Sequence, residues 1–112
     1  MPAAPSERRR APRIAADLPL QLIARDAGAS AQLRDLSTIG LSCVFPEPIP
    51  EMTAVNLKLE LAGEAHDIVG AVVRSERLDE GWEIAVYFTQ IADEAKTGLA
   101  TYIEDQISAA QS

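Results

Sequence analysis

Cysteine is almost missing from this chain: Cys43 is the only one among 112 residues. A single thiol forms no internal disulfide and supplies no multi-cysteine zinc site, and it fits a reducing compartment. Within "GLSCVF" it reads as a small buried hydrophobe. Histidine is equally scarce. His66 stands beside Asp67, too few groups for a metal centre or a proton-transfer pair, and reads as an exposed strand residue. No apolar run approaches the roughly 18–20 residues of a membrane helix, so no membrane insertion is expected. "MPAAPSERRR" has no apolar stretch behind its charges, so it does not read as a secretory leader and the expected location is the cytoplasm. There is no glycine-rich loop followed by Lys and Ser or Thr, and no Ser–His–Asp arrangement with motif support. No catalytic residue, metal or cofactor is therefore expected, and an enzyme is the least supported class.

Positive charge is also sparse, and unevenly placed. The formal net charge is -7 and the pI about 4.6. Of the 10 basic residues four are Arg8, Arg9, Arg10 and Arg13, while of the 17 acidic residues only Glu7 precedes Ile14. The body is thus strongly anionic. Nucleic-acid binding draws on many phosphate contacts over a basic face, so a polynucleotide partner is not expected; one compact arginine patch suits a small anion better.

What is present is a single domain's worth of alternating apolar residues, 47% hydrophobic against 24% charged. Residues 1–13 are rich in Pro, Ala and Arg without apolar periodicity and read as a flexible arm; residues 14–112 form the folded body. "LPLQLIA" (18–24), "SAQLRDLS" (30–37) and "GLSCVF" (40–45) read as strands, Pro19 marking a strand start or edge. "VNLKLEL" (55–61) alternates strictly, with Val55, Leu57, Leu59 and Leu61 facing inward. "HDIVGAVVRSERL" (66–78) follows, Gly70 marking a bulge or bend, and "LDEG" turns the chain into "WEIAVYF" (82–88), where Trp82, Ile84, Val86 and Phe88 share a core or rim face. From about 93 to 110 the period becomes helical through Ala95, Leu99, Tyr102, Ile103, Ile107 and Ala110, with Asp93 and Glu94 at the positive end. The expected fold is all-β with one C-terminal helix: a six-stranded antiparallel barrel with the helix beside it or over one end.

Two motifs remain to be explained. Arg9-x-x-x-Arg13 immediately precedes the first strand, and "DLSTIG", Asp35-x-Ser37-x-x-Gly40, occupies the turn between the second and third. Taken alone, the second is the composition of an ordinary hairpin turn, since Asp and Ser bond nearby backbone N–H groups and Gly tolerates positive φ. An arginine run alone is usually a solvated tail. Joined in this order with this strand pattern, they resemble the PilZ domain, a bacterial receptor module for cyclic di-GMP, over nearly the whole chain.

The resemblance implies a six-stranded barrel with a C-terminal helix and a ligand carrying two guanines and two phosphates. Arginine suits such a ligand because its planar fork bonds guanine O6 and N7, clamps phosphate or stacks on a base. By resemblance, Arg9 and Arg13 grip guanine edges and phosphates, Asp35 accepts from guanine N1–H and N2–H₂, Ser37 adds a hydroxyl contact and Gly40 shapes the turn. Arg8 extends the motif to RRxxxR, which in the family goes with a stacked, intercalated ligand dimer; with Arg10, four arginines then face four phosphates. Ala11 and Ala85 depart from the family pattern, which often has a large residue and a glycine there. The implied role is a receptor whose arm folds onto the barrel with ligand and alters the surface offered to a downstream protein, in motility, exopolysaccharide or related control. The alternative is a ligand-independent adaptor on the same barrel.

Overall fold

The computed structural model describes residues 13–24 and 27–111, the side chains of Ala27, Ala110 and Gln111 excepted. Arg8, Arg9, Arg10 and Ala11 fall outside that range. The strands are β1 (Ile14–Ala15), β2 (Pro19–Ala24), β3 (Ala27–Leu36), β4 (Gly40–Phe45), β5 (Ala54–Leu61), β6 (Glu64–Leu78) and β7 (Gly81–Ile91), followed by helix α1 (Asp93–Gln111).

All pairings are antiparallel, and they group the strands into two three-stranded meanders. β2, β3 and β4 form one and β5, β6 and β7 the other. Two seams join them, Leu20↔Leu59 being typical of β2–β5 and Ser42↔Ala85 of β4–β7, so six strands close into the expected barrel. β1, too short to be visible in the sequence pattern, adds to β3 through Ile14↔Leu36 and Ala15↔Asp35.

The inward alternation of β5 is met fully, with Val55, Leu57, Leu59 and Leu61 all buried. Each such aliphatic side chain removed from water contributes about 1.5–3 kcal/mol, which fixes the register, because a slip of one residue would turn the whole set outward. Gly70 lies where the β6–β7 register shifts, as its position in a β-rich run led us to expect. Trp82 packs on the core while staying partly exposed at the rim. His66 is less exposed than expected: its ring is 11% accessible, with Nε2 facing α1 near Gly98. The lone histidine is covered because the helix passes over the β5–β6 hairpin.

The helix lies over one barrel end, touching β1, β5 and β6, and buries Ala95, Leu99 and Ile103. Gly98 sits mid-helix on that contact face, and a Cβ placed there would meet Leu61 Cδ1 at 3.7 Å and His66 Nε2 at 4.0 Å, ordinary contact distances. Gly98→Ala is therefore expected to stabilise the protein by about 0.5–1 kcal/mol, read as a higher denaturant midpoint at unchanged slope. An unchanged or lower midpoint would show that this face has no room.

Cys43 is fully buried on β4, as its composition context implied. Burial, assisted by the nearby Glu83 carboxylate, pushes its thiol up to about 12 from an ordinary 9.0. The folded state thus holds a neutral thiol where an unfolded chain would ionise. This contribution to stability is complete below pH 9.0 and is lost as pH rises from there through about 12. Since the thiolate is the nucleophile, alkylation of Cys43 at neutral pH is expected only on unfolding, and rapid labelling of native protein would contradict this.

Candidate functional site

The surface between β1, β3, β4 and β7 takes its form from one inserted residue. Leu33 pairs with Cys43 and Asp35 with Ser42, leaving Arg34 as the extra residue of a bulge. Leu33 and Leu36 both face the core, while Arg34 and Asp35 point outward in succession. Each outward residue finds an opposite charge. Arg34 Nη1 lies 3.5 Å from Glu83 Oε2, and Asp35 Oδ1 accepts a hydrogen bond from Arg13 Nη1 at 2.6 Å. The Arg13 and Asp35 side chains are 49% and 31% exposed, so the pair is within reach of solvent and of any ligand.

β1 delivers Arg13 to this place. Its pairing with β3, continued by the Ala16 N–H donating to the Arg34 carbonyl at 3.1 Å, lays the chain directly beside Asp35. Two of the sequence-identified residues, 22 positions apart, are thereby in contact.

The turn that follows is built by Ser37. Its hydroxyl accepts from the N–H groups of Ile39 (3.2 Å) and Gly40 (3.1 Å) and donates to the Gly40 carbonyl at 3.1 Å. The Ser37 N–H donates to the same carbonyl at 2.9 Å. Ser37 is 1% exposed, so its hydroxyl serves the turn in this conformation rather than facing outward as a contact group.

Gly40 holds its place for a different reason from the one its turn setting implies. It is not among the positive-φ residues; instead, a Cβ there would lie 2.4 Å from the Val86 carbonyl oxygen and 3.4 Å from Tyr87 Cα. β7 runs too close for any side chain.

Gly40, Ser42 and Ala85 make a low floor beside the Arg13–Asp35 pair, through Asp35↔Ser42 and Ser42↔Ala85. Arg74, paired across from Ala85, stands on its far side and holds Glu83 Oε1 at 3.8 Å through Nη2. Sequence reasoning passed over Ser42 and Arg74; the outward phase of β4 and β6 was the available signal. The Ser42 hydroxyl is buried with no partner among the described residues.

This is an open face rather than a cleft. A cavity of about 450 Å³ lies against Asp17, Gln21, Ser30, Lys58 and Glu60, and one of about 320 Å³ lies at the barrel end near Phe45 to Pro50. Neither includes Arg13 or Asp35. An occupant of the Arg13–Asp35 face would lie across the wall, held by charge and hydrogen bonds. Among the described residues no cluster of three or more His, Cys, Asp or Glu is placed to hold a metal, and no helix is long and apolar enough to cross a membrane.

A closed antiparallel barrel with a helix over one end and a charged, serine-built turn on its outer wall defines a small β-barrel module with a surface site. The family model for the PilZ domain matches residues 7–105, and the chain belongs to that family. No curated protein matches the chain by sequence. Among solved structures, it is similar to the motility inhibitor MotI/DgrA of Bacillus subtilis, with TM-score 0.79 and 18% identity over 89% of this chain and 52% of that one. It is similar to MrkH of K. pneumonia, solved with c-di-GMP, with TM-score 0.73 and 19% identity over 92% of this chain and 54% of that one. The PilZ domain of YcgR from Escherichia coli, also with c-di-GMP, gives TM-score 0.72 and 14% identity over 93% of this chain and 95% of that domain. The chain spans about half the length of MotI/DgrA and of MrkH, and what it shares with all three is the fold.

Proposed function

We propose that this chain is a non-enzymatic receptor for cyclic di-GMP, the nucleotide that MrkH and the YcgR domain hold in their structures. The observation that carries the reading is the Arg13–Asp35 contact at 2.6 Å on an exposed face, beside the turn built by Ser37 and Gly40. It joins an ionised acceptor and a planar cationic fork, the two functions a guanine phosphate requires.

In this mechanism Asp35 accepts from guanine N1–H and N2–H₂, exchanging Arg13 for the base edge. Arg13 then turns its fork to guanine or phosphate, and the small residues of the floor let the ligand approach the backbone. Ser37 acts by holding the turn, and Gly40 by admitting β7. Arg8, Arg9 and Arg10 reach the phosphates from the arm of residues 1–13, whose docking changes the surface offered to a downstream protein. Four arginines match the four phosphate charges of an intercalated ligand dimer.

Several charge-assisted contacts, less the ordering of about a dozen arm residues, correspond to a Kd of about micromolar or somewhat tighter. Calorimetric titration with cyclic di-GMP tests this, expecting two ligands per barrel. Absence of heat would remove the receptor reading, and a stoichiometry of one would remove the dimer while keeping the receptor.

A further inference from the structure

Ser42 is the polar residue of the floor that the binding mechanism leaves unused. It stands on β4 between Leu41 and Cys43, both of the core, so its side chain takes the outward phase, and yet it is 0% exposed. Its hydroxyl has no hydrogen-bond partner among the described residues. A hydroxyl shut away from water without a partner is costly, and buried polar groups in native structures are nearly always satisfied. The one other such hydroxyl among the described residues belongs to Ser75, which pairs across the sheet with Ile84 of the core and so takes the inner phase, away from the floor.

The surroundings of Ser42 can open. Ion pairs border it, Arg13–Asp35 on the β3 side and, on the β7 side, Arg34 and Arg74 reaching Glu83 at 3.5 Å and 3.8 Å. All three arginine side chains are about half exposed, and pairs this open to solvent are weak and screened by salt. When Asp35 gives up Arg13 for a guanine edge, the pair directly beside Ser42 is the one that parts.

The Watson–Crick edge of guanine offers three groups in a row: the N2 amino group, N1–H and the O6 acceptor. Asp35, an acceptor only when ionised, serves the first two and not the third. Asp35 and Ser42 are register partners on neighbouring strands, which lie about 4.7–4.9 Å apart, close to the reach of that edge from N2 to O6. The third group needs a donor at this place, and a hydroxyl without an acceptor stands there. Resting on the receptor reading, we infer that Ser42 reads the base together with Asp35, its hydroxyl donating to guanine O6 while the carboxylate accepts from N1–H and N2–H₂.

The test is calorimetry and thermal melting of wild type and Ser42→Ala, with cyclic di-GMP and with its analogue carrying sulfur in place of each guanine O6. Ser42→Ala should lose about three- to tenfold in affinity for cyclic di-GMP, the share of one neutral hydrogen bond. Its ligand-free Tm should be unchanged or higher, since the hydroxyl removed has no partner to leave behind. With the sulfur analogue, a weak acceptor, the loss caused by Ser42→Ala should shrink to less than about twofold. Wild-type affinity in Ser42→Ala, a lowered Tm of the ligand-free variant, or a loss of the same size with both nucleotides would each overturn the assignment of Ser42 while leaving the receptor reading intact. A wild type that binds neither nucleotide would remove both.

Discussion

Asp35→Ala is expected to lower the affinity for cyclic di-GMP by about a hundredfold or more. Under the receptor reading the carboxylate takes two charge-assisted hydrogen bonds from one guanine edge, each worth about 1.5–3 kcal/mol, and 1.4 kcal/mol is a decade in Kd. The competing contribution is small. In the ligand-free state Asp35 is paired with Arg13, but both side chains are substantially solvent-exposed, and such surface pairs contribute about 0–1 kcal/mol. Arg13→Ala removes the fork while leaving the acceptor, and a loss of about ten- to a hundredfold is expected. The measurement is calorimetry on wild type and both variants, with circular dichroism to show intact barrels. Wild-type affinity in Asp35→Ala would place the guanine elsewhere, even if the receptor reading survived.

The second large effect concerns the barrel. Gly40→Ala puts a Cβ 2.4 Å from the Val86 carbonyl oxygen, and the obstacle is backbone, which no rotamer change relieves. The β4–β7 seam must open locally. Overpacking of this kind costs about 1–3 kcal/mol, and for a domain of about 100 residues each kcal/mol lowers Tm by about 4–8 °C. A fall of about 5–20 °C in a thermal melt is therefore expected, with binding impaired as well because the turn and floor share this residue. An unchanged Tm would mean that β7 can move away without loss.

Much of the fold was legible because its elements obey local periodicity. The strict alternation of Val55 to Leu61, the shared face of Trp82, Ile84, Val86 and Phe88, and the change to helical spacing after Asp93 each set one element's buried side. Two apolar residues at β1 carry no period, and only their pairing with Leu36 and Asp35 makes them a strand. The bulge left a trace that period-two reading passes over: Leu33 and Leu36 are three apart, so two successive residues between them face outward.

The candidate site was legible as residue types and not as roles. Neither motif shows that Arg13 and Asp35 touch each other, and while the turn composition of "DLSTIG" offers Ser37 bonding to nearby backbone N–H groups, it does not show that the hydroxyl is buried there. Gly40 is glycine because of Val86, 46 positions away, a constraint that no local window contains.

The seams between the two meanders give the site a further property. β2–β3–β4 and β5–β6–β7 are each assembled from neighbours in sequence, whereas Gly40↔Tyr87 and Leu20↔Leu59 join residues 47 and 39 positions apart. Local hairpins form quickly and long-range closure is slower, so the β4–β7 seam belongs to the late steps of folding. Asp35 and Ser37 lie on one side of that seam, Ala85 and Arg74 on the other. A ligand lying across the floor would staple the two halves of the barrel together, and occupancy would be felt as resistance of the whole chain to opening.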